Sequence, residues 1–156
     1  MLRLLLFFPI ILLSQEIFML PDEADTLMHT YNSDIKKAKK EVLIFTPFID
    51  EYILTRTLKK LSKKNVPIII ITKASPAQDN KVSYLSLFKN ISVFTLPALK
   101  TVSLNGSFIC IDDEKSYAIS GVLSQKKLKE VYSFGIYKKG KCAYLFTTLL
   151  QRSKPY

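Results

Sequence analysis

The residues best equipped for chemistry in this 156-residue chain cluster between Asn105 and Ser124. Asn105, Ser107, Ser120 and Ser124 offer a carboxamide and three hydroxyls, Gly121 an open stretch of backbone, and Asp112-Asp113 two adjacent carboxylates. Such groups, joined by backbone amides, can hydrogen-bond the oxygens of an anion such as phosphate. They do not supply an evident nucleophile, because a carboxamide lacks the lone-pair density that imidazole carries near neutral pH. The serines, Ser103 included, have no neighbouring histidine or other general base to activate them. The single histidine, His29, lies far from this cluster on a segment with helical spacing, where a surface or helix-packing role is the plain reading. Asp112 could orient a base or cap a turn. Paired acids between two apolar runs, residues 108–111 and 117–119, more often make the corner of a β-hairpin, and the turn reading is preferred.

The rest of the chain reads as the scaffold for this cluster. Residues 17–20 form a short apolar strand stopped by Pro21, and Asp22 is a suitable N-cap for a helix with Glu23 and Asp25 in its first turn. Leu27, Met28, Tyr31, Ile35 and Ala38 fall near helical spacing, and lysines crowd the C-terminal end, where positive charge suits the dipole. The unbroken apolar run 42–45 suits a central strand covered on both faces, and Thr46-Pro47-Phe48 carries the chain out of its end. Asp50 can cap a second helix with Ile53, Leu54, Thr57, Leu58 and Leu61 on its buried side, and residues 68–71 return as another central strand. Residues 42–72 are thus a β-α-β unit with parallel pairing. A polar loop (74–80), a short helix carrying Val82, Leu85 and Phe88, and a strand at 91–96 continue the alternation. After the hairpin come a lysine-rich stretch (Lys126, Lys127, Lys129), a strand at 131–137, a turn at 138–141 and a helix at 143–151. No repeat or linker interrupts the pattern, so the expectation is one α/β domain with a mixed central β-sheet flanked by helices.

The segment 105–124 resembles the second half of the phospholipase D superfamily signature, H-x-K-x4-D-x6-G-S-x-N. With Asp112 at the Asp position, Ser107 stands at that of the Lys and Asn105 at that of the nucleophilic His. Ser120-Gly121 stands for Gly-Ser one residue late, and Leu123, flanked by Ser124, for the Asn. Over residues 17–152 the order of elements also resembles the small single-motif Nuc-type bacterial endonucleases. The opening at Phe18 to Pro21, Ala38-Lys39-Lys40, Thr46-Pro47-Phe48, Lys64-Asn65-Val66-Pro67-Ile68, and Glu130 before the next strand carry that likeness. The resemblance implies a phospholipase D/nuclease-like fold and phosphodiester chemistry with two histidines from paired motifs, without metal or cofactor. It also implies an active site assembled across a two-fold dimer, so a chain without the His and Lys would be the passive half of a heterodimer or a homodimeric scaffold.

Twenty-three Lys and Arg against 13 Asp and Glu give a formal charge of +10, which draws nucleic acid or an anionic membrane surface, or only solubilises the chain. Only Arg3, Arg56 and Arg152 are arginines, so any nucleic-acid binding would be salt-sensitive and indifferent to sequence. Arg3 and the apolar run 4–13, closed by Ser14-Gln15-Glu16, read as a signal peptide or N-terminal anchor over 1–14, ahead of a domain over 15–156. A buried N-terminal strand or a misassigned start is the alternative. Cys110 and Cys142 lack zinc-ligand spacing and are read as two separate buried thiols, with a disulfide open to an exported protein. The leading reading is an exported, periplasmic or membrane-anchored domain that binds phosphodiester ligands, nucleic acid or phospholipid, or a partner chain, through Asn105, Ser107, Ser120, Gly121 and Ser124 without turnover. An active metal-independent phosphodiesterase and a structural envelope protein are the alternatives.

Overall fold

The structure, a computed structural model, describes residues 15–73, 81–96 and 106–156. The 1–14 leader, the 74–80 loop, Ser103 and Asn105 lie outside the described residues. In chain order the elements are β1 (Gln15–Leu20), α1 (Ala24–Lys36), β2 (Val42–Phe45), α2 (Tyr52–Ser62), β3 (Ile68–Lys73), α3 (Val82–Leu85), β4 (Ile91–Leu96), β5 (Ser107–Ile111), β6 (Lys115–Ile119), α4 (Gln125–Glu130), β7 (Ser133–Lys139), α5 (Tyr144–Gln151) and β8 (Lys154–Pro155).

Among the described residues, eight strands form one mixed sheet in the order β1-β7-β6-β5-β2-β3-β4-β8. β2 pairs parallel with β3, and β3 with β4, while every other pairing is antiparallel. The parallel trio follows from the β-α-β unit, whose return helix must carry the chain back to the start of the next strand. Alternation along the strands divides the interior in two. Val42, Ile44, Ile68, Ile70, Ile109 and Ile111 join Leu27, Tyr31, Ile35, Leu54 and Leu58 of α1 and α2 in the larger core. Leu43, Ile71 and Cys110 belong to a second core closed by Cys142 and Phe146 beside α5.

Several local expectations are corrected. Glu23, not Asp22, is the N-cap residue of α1, and its carboxylate accepts from the Met19 N–H at 2.6 Å. Glu51, not Asp50, caps α2 by accepting from the Leu54 N–H at 3.1 Å. Ile53, assigned to the buried side of α2, is 52% exposed, because Leu54, Thr55, Leu58, Leu61 and Ser62 form the face turned inward. The lysine-rich stretch is a helix, α4, held by one buried residue, Leu128. Cys110 and Cys142 are a disulfide rather than two thiols: β5 and the start of α5 meet on the same side of the sheet, with Cα atoms 5.8 Å apart. Among the described residues no helix is long and apolar enough to cross a membrane.

Candidate functional site

The parallel strands β2 and β3 end together, and the chain entering β5 arrives beside them because β5 runs antiparallel to β2. Ligands of open α/β sheets gather at such strand ends, where loops diverge and leave a crevice. Thr46, the first residue past β2, is fully buried, and its Oγ1 lies 2.8 Å from Ser107 Oγ. Ser107 Oγ donates to the Gly121 carbonyl at 2.7 Å, and the single Thr46 proton serves either Ser107 Oγ or the Phe48 carbonyl, 2.9 Å from Thr46 Oγ1. Either way, each hydroxyl has its proton committed to protein.

The next residues extend this knot. Ile49 and Leu123 form a parallel β-bridge, and the Leu123 carbonyl accepts from the Asp50 N–H at 3.1 Å. Ser124, 2% exposed, donates to Asp50 Oδ2 at 2.9 Å and caps α4 by accepting from the Lys127 N–H at 3.3 Å. Asp50 Oδ1 accepts from the Gln125 N–H at 3.1 Å, so the carboxylate expected to cap α2 instead secures the start of α4. A cleft of about 520 Å³ opens beside it, lined by Asp50, Lys81, Gln125, Lys126, Lys129 and Glu130. Lys129 is tied to Asp25 at 2.7 Å, whereas Lys81 and Lys126 have no ion-pair partner among the described residues.

Beneath the same end sits a buried polar group. Glu51 is fully buried and accepts from the Tyr31 hydroxyl at 2.7 Å and from Asn32 Nδ2 at 3.3 Å. Burial pushes its carboxyl above the ordinary range, against the pull of those donors and of the Leu54 N–H.

The residues singled out from sequence therefore part company. Ser107, Gly121 and Ser124 gather around Thr46 and Asp50. Ser120 is exposed and turned toward β7, where its Oγ donates to the Phe134 carbonyl at 3.2 Å and accepts from the Phe134 N–H at 3.0 Å. Asp112 lies at the other end of β5, about 17 Å away at the usual strand rise. There its carboxylate accepts from the backbone N–H groups of Lys39, Lys40 and Glu41 at 2.7–3.1 Å. Asp113 accepts from the N–H groups of Cys142 and Ala143, both at 2.8 Å, and pairs with Lys141 at 3.0 Å. Both acids have left-handed backbone, φ 56° and 55°, so the pair is the hairpin corner that the composition suggested.

His29 is exposed on α1 and lines a separate cleft toward α2. Thr46, Asp50 and Lys81 were missed as site residues. The apolar-to-polar switch at Thr46 marked the strand end, but only the folded chain shows Leu123 and Ser124 arriving beside it.

No protein-family model and no curated protein sequence matches this chain. Solved structures do. NucT from Helicobacter pylori superposes with a TM-score of 0.82 at 18% identity, covering 92% of this chain and 99% of that one. Nuc from Salmonella typhimurium, described as a phospholipase D family member, gives 0.74 at 12% identity, covering 92% and 97%. Phosphatidylserine synthase from Haemophilus influenzae gives 0.64 at 14% identity, with 92% of this chain matched to 40% of the other. The chain thus has the phospholipase D-like fold, in the single-domain arrangement of NucT and Nuc.

Proposed function

We infer that this chain is an exported or membrane-anchored phospholipase D-like domain that binds phosphodiester groups, of nucleic acid or of phospholipid, without turning them over. The observation that carries the reading is the commitment of the hydroxyls at the strand ends: Ser107 and Ser124 donate to the Gly121 carbonyl and to Asp50, with no histidine hydrogen-bonded to either among the described residues. A hydroxyl held this way has no base to receive its proton and does not become a nucleophile. The lysines beside it still favour an anion, and Lys81 and Lys126 carry the charge. Asn105 belongs to the same proposal as a donor to the bound phosphate.

Export is supported by the disulfide, since such bonds persist in oxidising compartments. Pairing with a second copy or a related chain is supported by Ile17, Met19 and Phe134, exposed side by side on β1 and β7. Sedimentation velocity measures that association directly.

The test uses the purified chain with a fluorescent single-stranded oligonucleotide, with vesicles containing phosphatidylglycerol, and with bis(p-nitrophenyl) phosphate in EDTA. Expected are salt-sensitive binding to the oligonucleotide or the vesicles, weakened several-fold by Lys81→Gln with Lys126→Gln, and no hydrolysis. Metal-independent hydrolysis that disappears in the same double variant would establish the enzyme instead, and binding indifferent to salt and to both lysines would remove the site.

A further inference from the structure

A second cleft, of about 630 Å³, separates α1 from α2 on the helical side of the sheet, and nothing in the strand-end site accounts for it. Four cations line it: Lys36 from α1, and Arg56, Lys60 and Lys64 from α2 and the turn after it. None has an ion-pair partner among the described residues, and the lining carboxylate, Asp25, is bound to Lys129. Lysines at the ends of α1 and α2 complement the helix dipoles, but Arg56, in the middle of α2, has no such explanation.

Asn32 supplies an independent observation. It lines the cleft and is 6% exposed, and its Nδ2 donates to the Met28 carbonyl at 2.9 Å. That carbonyl can only accept, which fixes the amide nitrogen on that side and the oxygen on the other. Oδ1 is then a buried acceptor with no hydrogen-bond partner. Buried polar atoms are almost always satisfied, so an unmatched one beside a ligand-sized cavity marks a place for a donor. Ile53, half-exposed on the cleft wall, adds an apolar surface.

We propose that this cleft binds a nucleotide unit, free or within a strand. Arg56 and Lys60 hold its phosphate, with Lys36 and Lys64 adding charge. Oδ1 is closed to solvent in the structure, so the Asn32 amide shifts to receive a donor, a sugar hydroxyl or base amine, while the base lies against Ile53. Inorganic phosphate alone would use the cations but leave Asn32 unmatched.

Gln125 lines both clefts, but the contacts proposed here are made by other residues, so the site survives failure of the strand-end reading, which is probed through Lys81 and Lys126. The full chain, labelled with ¹⁵N, is titrated with adenosine monophosphate, hexathymidylate and inorganic phosphate. The nucleotide is expected to move the Asn32 side-chain amide resonance. Arg56→Gln with Lys60→Gln, both exposed, should keep the dispersed spectrum and weaken binding about tenfold or more. Lys138→Gln with Lys139→Gln, the same charge change on β7, should leave binding within about twofold if the contact is local. A tighter hexathymidylate complex would identify a strand as the source, and equal affinities a free nucleotide. Equal losses in the two double variants, phosphate binding as tightly as the nucleotide, an unmoved Asn32 resonance, or no binding of either nucleotide probe would each overturn the proposal.

Discussion

The two acids of the hairpin corner show how one sequence feature serves different ends. Asp112 reaches toward the start of β2 and gathers three N–H groups, while Asp113 reaches toward α5 and gathers two. Partial burial alone would raise the Asp112 carboxyl, but the backbone donors at Lys40, Lys39 and Glu41 outweigh it and hold the group below its ordinary value. Asp112→Ala removes a charged acceptor from three donors and leaves in the left-handed region an alanine without the short polar side chain that lets aspartate tolerate it, so a loss of about 2–3 kcal/mol in urea unfolding is expected. An unchanged midpoint would show that the corner is held by strand pairing alone. The N–H groups of Ala143 and Cys142 and the Lys141 ammonium depress Asp113 to about 2. A carboxyl depressed by folding contributes stability above its unfolded value, near 4, and loses it as the pH falls toward 2. Asp113→Asn should therefore be less stable than the parent at pH 6, with the difference shrinking between about pH 4 and 2. A pH-independent difference would assign its role to packing instead.

Elements were legible where one periodicity ruled and obscure where tertiary contact decided. The apolar runs at β2 and β3 left little choice but central strands, and α1 and α2 announced themselves by spacing and lysine-rich ends. α4 was hidden because six residues with one buried side chain give no repeat, and Ser124 becomes a cap only when Asp50 anchors it. β8, two residues long, exists by pairing with β4. The caps slipped from Asp22 to Glu23 and from Asp50 to Glu51 because adjacent acids are equivalent on paper. Packing of α1 on β7 leaves one clear test. A β-carbon on Gly135 would stand 2.7 Å from Leu27 Cδ2, so the end of this fully buried side chain would have to shift. Gly135→Ala should cost about 1–3 kcal/mol by overpacking, and adding Leu27→Ala should cost less in that background than in the parent. Strict additivity of the two changes would show that the helix simply shifts away.

At the scale of the whole molecule, the sheet is braced on both faces by different means. α1 and α2 bury a broad aliphatic core, whereas α5 rests on a small cluster around Leu43, Ile71 and Phe146 and is fastened at its start by the disulfide and by Asp113. The cysteine pairing could not be read from spacing, because it depends on β5 turning Cys110 to the side where α5 returns, 32 residues later. A bond across that separation restricts the unfolded chain by about 3–4 kcal/mol. With a thermal shift of roughly 2–4 °C per kcal/mol for a chain of this size, reduction should lower Tm by about 6–16 °C. The variant with both cysteines changed to serine should melt at the reduced temperature and ignore reductant. The small core gives the loss a direction: α5 and the β4–β8 edge should lose amide-exchange protection first, while β2, β3 and the α1–α2 core keep theirs. Uniform loss of protection would instead make the disulfide a brace of the entire sheet, and two titratable thiols in the unreduced, denatured protein would show that the bond does not form.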